Sequence, residues 1–366
     1  MSDLEHYRNV LKPLAFNPKN GLVRLGRNDP DLFSHAYDDD DLLIQNLDPF
    51  TVDTNKIINS KAFRRLIEKT QVFPLPNNPH IRTRLQHCLE VWAIALPLAE
   101  FLGLNITLCQ SISLGHDIGH APFGHFGEEY LSRNSGRVFN HANNGLIVAQ
   151  QIERKCSGLN LTVETLKGIL LHSRTADEKM AISESHSQES SLVMLADKIA
   201  YTFSDYNDAL REDYFTEPNS SKINFFGTYQ RERVSRCMRA LIIESAEKGS
   251  IAFSTSAEAQ AFKSLRHWMF KNIYKPIDYS VQECYLNRLI DFMQSELLFR
   301  NCDPYLLLSL MTDREVFQFG EFCNTARKPK IEQLKNFGIM EIAPSLSGRK
   351  IDFDLPQKIL SYKKTP

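Results

Sequence analysis

Net charge is almost absent from this chain: 43 lysines and arginines are set against 44 aspartates and glutamates, a formal charge of −1. Bulk charge therefore predicts neither a nucleic-acid nor a membrane partner. Cysteine is sparse and unpatterned, with seven residues at 88, 109, 156, 237, 284, 302 and 323 and no CxxC pair. An odd, scattered count argues against a disulfide framework and points to reduced thiols in a cytoplasmic compartment. No run reaches 18 apolar residues, and the opening MSDLEHYRNVLK is polar, so neither a membrane span nor a signal peptide is expected. Internal repeats and low-complexity tracts are also missing. At 366 residues, 42% hydrophobic and 24% charged, the chain has the make-up of a globular protein that buries a sizeable core.

What the chain does have is histidine in one place. Eight of its eleven histidines fall between His80 and His186. The densest stretch runs from Leu114 to His125 and holds His116, Asp117, His120 and His125 together with three glycines and a proline. Gly and Pro at that density break a helix, so the side chains need not follow helical spacing. A break at Gly119 lets His116 and Asp117 reach one point. Imidazole with carboxylate is a metal-ligand set.

Elsewhere the pattern is helical. Apolar residues recur at helical spacing from Asn55. Val72–Pro79 is a loop, since three prolines exclude a helix. Thr83 reads as the cap of a helix with Leu85, Leu89, Trp92 and Leu96 as its apolar stripe. Further helices are expected at Ile106–His116, Ala142–Lys155, Thr162–His172 and Ser190–Leu210. Four more are expected at Arg231–Ala246, Ala257–Phe270, Val281–Leu298 and Tyr305–Val316. The Asp38–Asp41 run reads as a solvated loop or helix start, and Ser183–Ser191 as a loop or cap. The last fifty residues are more basic, and Arg349–Asp354 alternates like a short strand. The fold class expected is mainly α with a small mixed C-terminal tail.

Asp197, Tyr201 and Asp205 lie at i, i+4 and i+8, so one helix face carries all three. Such a face suits a wall of a polar cleft. His87, near the start of one helix, falls close to His116 and Asp117 at the end of the next if the pair returns antiparallel, and Asp197 closes the shell. Two imidazoles and two carboxylates suit Mn, Fe, Ni, Co or Zn, with Mg if phosphate supplies further ligands. His120, His125 and His141 are then free to protonate a leaving oxygen or bind anionic oxygens. Arg84 and Lys198 add phosphate-binding charge. His172 and His267, alone on their helices, read as core or surface residues.

His87, His116-Asp117 and Asp197 resemble the HD-domain metal-phosphohydrolase pattern. The likeness narrows to the deoxyguanosine triphosphate triphosphohydrolase family, which includes the vertebrate sterile-alpha-motif HD deoxynucleotidase. Phe63-Arg64-Arg65-Leu66, Lys69 to Phe73 and Arg82 to His87 are similar to that family's opening motif. His116 to His125 with Gly127-Glu128 resembles the central one, Ala196 to Tyr201 with Asp205 the third, and Met311-Thr312-Asp313-Arg314 a short late one. The resemblance covers about Asn55 to Phe317.

It implies an HD-domain helical core with additional C-terminal helices, and hydrolysis of dGTP or several dNTPs to deoxynucleoside and triphosphate. On it, His87, His116, Asp117 and Asp197 hold a divalent metal. His125, oriented by Glu128, is the acid–base residue; His120 and His141 contact phosphate. Arg84 and Lys198 bind phosphates, while Gln71, Tyr201 and Asp205 face the sugar. The segments are then 1–54, an N-terminal extension; 55–215, the HD-type core; 216–317, a helical lobe; and 318–366, the basic mixed tail. A homo-oligomer, hexamer or tetramer, is also implied, and a single-stranded DNA or nucleotide effector is a further expectation. Ser191 and Ile147 stand where the family usually has glutamine and arginine, and the arginine-rich opening segment is missing. The other readings weighed are an HD phosphodiesterase or pyrophosphohydrolase of another nucleotide, and a nucleotide or single-stranded DNA binding module on the same fold.

Overall fold

Helix starts can be read almost one by one from the capping residues, and helices make up the fold. The computed structural model describes residues 48–73, 78–173, 187–215, 220–325 and 329–362. The Asp38–Asp41 run, residues 183–186 of the Ser183–Ser191 segment, Lys328 and Lys363–Lys364 lie outside them; Ser187 caps a helix that takes in the rest of that segment. Among the described residues the only strand-like pairing is a single bridge between Thr70 and Thr83.

Helices α1 (Pro49–Ile58), α2 (Lys61–Arg65), α3 (Arg84–Leu102), α4 (Ile106–Gly115), α5 (Gly124–Ser135), α6 (His141–Ile147), α7 (Val163–Leu171) and α8 (Gln188–Arg211) build the first half. There follow α9 (Gln230–Lys248), α10 (Ala257–Met269), α11 (Ser280–Ser295), α12 (Pro304–Ser309), α13 (Asp313–Thr325), α14 (Gly338–Leu346) and α15 (Leu355–Ser361). Asn105, Asn140, Thr162 and Ser187 each accept the N–H three residues on, opening α4, α6, α7 and α8. A cap of this kind is worth about 1 kcal/mol. Thr83 precedes α3 as expected, and its own N–H is taken by Gln86 Oε1 at 3.1 Å.

The stripe expected on α3 is not the face that the helix buries. Leu89 is 45% exposed and Leu85, Trp92 and Leu96 are only partly covered. The buried side is His87, Cys88, Val91, Ala95 and Leu98. Helix α3 is long and apolar enough to cross a membrane by composition, yet it carries Arg84 and His87 inward and packs on α4 and α8. Two apolar clusters meet along these helices. Cys88 and Leu114 belong to one, together with Ile169, Leu289 and Ile359. Val91, Leu98 and Ile112 belong to the other, with Leu192, Phe203 and Phe262. His87 and His116 therefore sit where the two cores join.

Three expectations about local structure change. The helix expected over Tyr305–Val316 is two helices, broken at Leu310–Thr312. There, Thr312 N–H donates to Glu315 Oε2 at 2.8 Å and Glu315 N–H to Thr312 Oγ1 at 3.2 Å, a reciprocal cap that starts α13 afresh. The helix after His141 loosens into a π-turn over Val148–Ile152. Arg349–Asp354 forms no strand. The Gln151 side-chain amide takes both backbone groups of Asp352, at 2.8 and 2.9 Å, where a strand partner would otherwise be needed. The regular structure in the described part of the tail is helical.

Candidate metal centre and histidine cluster

Helix α4 ends at Gly115, one residue before the first ligand candidate, so the break that frees His116 and Asp117 comes earlier than Gly119. Gly119 has another task. A Cβ there would lie 2.1 Å from His141 O and from Gly145 N, so only glycine lets this loop meet the start of α6.

The four expected ligands converge although they come from two helices and the turn that follows a third, and span 110 residues. His87 Nε2 lies 2.9 Å from Asp197 Oδ1 and 3.4 Å from His116 Nε2. His116 Nε2 is 3.4 Å from Asp117 Oδ1 and 3.9 Å from Asp197 Oδ1. All four residues except Asp197 are buried. His116 Nδ1 donates to Ser113 O at 2.7 Å, which leaves the Nε2 lone pair aimed into the cluster. Two imidazole nitrogens and two carboxylate oxygens crowded at one spot need positive charge among them, and a divalent ion fits this donor set. Burial alone would raise Asp117, but His116, His120 and Arg84 hold its carboxyl well below the usual range. Burial likewise opposes ionisation of Asp197, and the hydrogen bond and charge of His87 overcome it. For His87, burial pulls the ring down while Asp197 pulls it up, and the net shift is upward. Burial lowers His116.

Beside this centre lies a second group organised by Glu128. Its Oε1 is 2.6 Å from His141 Nδ1 and 2.9 Å from His120 Nδ1, and its Oε2 is 3.7 Å from His125 Nδ1. The closest partner is His141, not His125. His120 and His141 stack with ring centres 3.8 Å apart, and His120 Nε2 points back to Asp117 Oδ1 at 3.1 Å. Burial, then the charges of Arg84 and His141, press His120 down to about 4. Burial would raise Glu128, but His141 and His120 keep it well below the usual carboxylate range. His125, with its side chain 83% exposed, stands at the mouth, and Glu128 raises it.

Both nitrogens of His141 are taken, the second by His172 Nε2 at 3.0 Å. A phosphate contact from His141, expected from the sequence, would have to displace one of these partners. His172 is therefore part of the cluster, with its ring centre 4.9 Å from that of His116. Reading it as an isolated core residue missed this, because nothing in the spacing of α7 brings it to α6.

Arg84 reaches the centre but is engaged there: one nitrogen donates to Asp117 Oδ2 at 2.9 Å and another to Gln71 O at 3.2 Å. Gly124, at φ 55°, makes room for that guanidinium, which a Cβ would approach to 2.6 Å. The buried Gln71 Oε1 has no hydrogen-bond partner among the described residues, and Lys198 is buried beside Asp197. The Asp197–Tyr201–Asp205 face of α8 does form one wall. Tyr201 Oη is hydrogen-bonded by Arg266, and Asp205 Oδ2 accepts from Tyr274 Oη at 2.8 Å. Burial, eased by the Tyr274 bond, raises Asp205 to about 7. Arg266 and Tyr274, at and just beyond the end of α10, were not found from the sequence, which offers no motif at either position.

The HD domain family model matches residues 84–202, the stretch from Arg84 through Asp197. The fold and the site thus define an HD-domain protein. A deoxyguanosinetriphosphate triphosphohydrolase-like protein of Clostridium tetani is 40% identical over 232 residues, covering 62% of this chain and 66% of that one. One from Clostridium perfringens is 40% identical over 231 residues, covering 62% and 67%. The chain belongs to the family of deoxyguanosinetriphosphate triphosphohydrolase-like proteins, and the match spans about two thirds of these relatives' length. A crystal structure of a hypothetical protein from Aquifex aeolicus aligns over 77% of this chain and 70% of its own, at 18% identity and a TM-score of 0.39.

Proposed function

We propose that the protein is a metal-dependent hydrolase of deoxynucleoside triphosphates, releasing the deoxynucleoside and intact triphosphate. The observation that carries this reading is the convergence of His87, His116, Asp117 and Asp197 beside the Glu128 histidine group. Those four residues would hold a divalent metal, which when bound supplies Lewis acidity toward a phosphoryl oxygen.

The chain's own groups divide the remaining work. Water adds to the α-phosphorus, the bond to the 5′ oxygen breaks, and the triphosphate leaves whole. His125 delivers a proton to that oxygen, and the carboxylate of Glu128 stabilises the protonated ring beforehand. Arg84 and Lys198 offset phosphate charge. Tyr201 and Asp205, joined by Arg266 and Tyr274, form the wall for the sugar, with Gln71 facing it across the site. His120 stands between Asp117 and Glu128, and His141 supports Glu128 rather than the phosphate. On the same reading the protein is a homo-oligomer, hexamer or tetramer, which light scattering checks.

The test is incubation with each of the four dNTPs and Mn²⁺ or Mg²⁺, with products resolved by chromatography. Deoxynucleoside and triphosphate are expected. Monophosphate with pyrophosphate, or no turnover of any dNTP, would overturn the reading.

A further inference from the structure

We propose that His172 is a positioning residue, which accepts a hydrogen bond from His141 Nε2 and so holds His141 Nδ1 on Glu128. The inference rests on Glu128 and His125 being the acid–base pair of the proposed reaction. Donor counting along the chain of contacts leads to it. His172 Nδ1 lies 2.5 Å from Ile169 O, and a carbonyl only accepts, so Nδ1 carries the proton. The Nε2 atom of His172 then presents a lone pair to His141 Nε2 at 3.0 Å, and His141 must be the donor. His141 meets the Glu128 carboxylate with its other nitrogen at 2.6 Å and donates there too. His141 thus donates in both directions, to His172, which is itself anchored on a backbone carbonyl, and to the Glu128 carboxylate beside His120 and His125.

The anchor is rigid for a packing reason. Ile169 fills the notches left by two glycines. A Cβ on Gly115, at the end of α4, would come within 2.7 Å of its Cδ1, and one on Gly145, in α6, within 3.4 Å of its Cγ2. Helix α7 is thereby keyed to the helix that delivers His116 and to the one that begins with His141. His172, 2% exposed at the end of α7, inherits that placement. Without its acceptor, the buried N–H of His141 would be left unpaired, and turning the ring to find another acceptor gives up Glu128.

The experiment compares wild type, His172→Leu and His172→Gln with dNTP and Mn²⁺, together with bound manganese and the downfield imidazole N–H resonance in proton NMR. Gln keeps an acceptor near the lost Nε2; Leu does not. We expect His172→Leu to lower kcat about 10- to 100-fold with KM little changed. The Leu variant should also lose the downfield resonance while keeping wild-type metal content, and His172→Gln should recover most of both signals. Combining His172→Leu with Glu128→Gln should be no worse than about the poorer single variant. Wild-type kcat in His172→Leu, or equal damage in Leu and Gln, would overturn the proposal. Loss of a second manganese equivalent in His172→Leu would also overturn it, since the two rings would then share a metal rather than a proton. If no dNTP is turned over by wild type, the functional reading fails. The resonance, present in wild type and Gln and absent in Leu, still decides whether His172 orders His141.

Discussion

Asp313 Oδ1 accepts the backbone N–H of Phe123 at 2.9 Å, across 190 residues of sequence. Phe123 has left-handed backbone angles, φ 62° and ψ 25°, and is the last residue before the helix that carries His125 and Glu128. The same carboxylate takes Thr70 N–H at 3.0 Å and Thr70 Oγ1 at 2.5 Å, beside Lys69, whose ammonium bonds His120 O. The start of α13 thus pins both loops that frame the site. Asp313→Ala should cost about 3 kcal/mol, because two buried N–H groups lose their acceptor and a strained residue loses its tether. Urea denaturation checks this; a variant within about 0.5 kcal/mol of wild type would count against it.

A pH effect on stability should come from Asp53, away from the site. Burial, against hydrogen bonds from Thr162, raises its carboxyl to about 6. A raised acid favours the fold in its protonated form. Its contribution is therefore best at acid pH, is lost as pH climbs from about 4 through 6, and stays lost above. Relative to Asp53→Asn, wild type should lose up to about 3 kcal/mol across that window. Denaturation curves of both proteins from pH 4 to 7 measure the difference; a constant gap would contradict it.

Much of this site was legible because its signals are local. Thr83 and Thr162 announce helix starts, and the i, i+4, i+8 spacing of Asp197, Tyr201 and Asp205 survives folding as one wall. His116-Asp117 reads as a ligand pair because a helix must end beside it. Other features depend on what packs against what. Apolar count favoured the Leu85–Leu89–Trp92 side of α3, yet the helix buries the side that carries His87. Tyr274 and Arg266 reach the wall from α10 and the turn after it, more than sixty residues beyond their partners. His172 gains its meaning only when Ile169 seats α7 on α4 and α6. The Thr312–Glu315 cap was readable in principle, as a threonine followed three residues later by glutamate.

His125→Ala should mainly lower turnover, by about 10²–10⁴-fold, with the fold intact, since the ring is largely exposed and supports no core. Glu128→Gln should move activity in the same direction. It should also lower the melting temperature, because Glu128 serves the buried His120 and His141. Steady-state kinetics with a melting curve separates the two effects. A well-folded His125→Ala protein with wild-type kcat would end the acid–base assignment.

Gly119→Ala should be far more damaging than its size suggests. The new Cβ would meet backbone atoms of His141 and Gly145 at 2.1 Å, which cannot swing aside, so a cost of about 3 kcal/mol or more is expected. Gly103→Ala is the control: φ is 71° and nothing lies within 4 Å, leaving only the left-handed penalty of about 1–2 kcal/mol. Equal melting temperatures for the two variants would show that the Gly119 contact is not tight.

The central claim is that His87, His116, Asp117 and Asp197 hold one divalent ion together. The direct measurement is metal content per chain, by mass spectrometry after manganese loading and gel filtration, for wild type and Asp197→Ala. The account predicts one tightly held ion in wild type and its loss in the variant, with far-ultraviolet circular dichroism unchanged because the two apolar cores remain. Wild-type metal content in Asp197→Ala, or no retained metal in wild type, would contradict it.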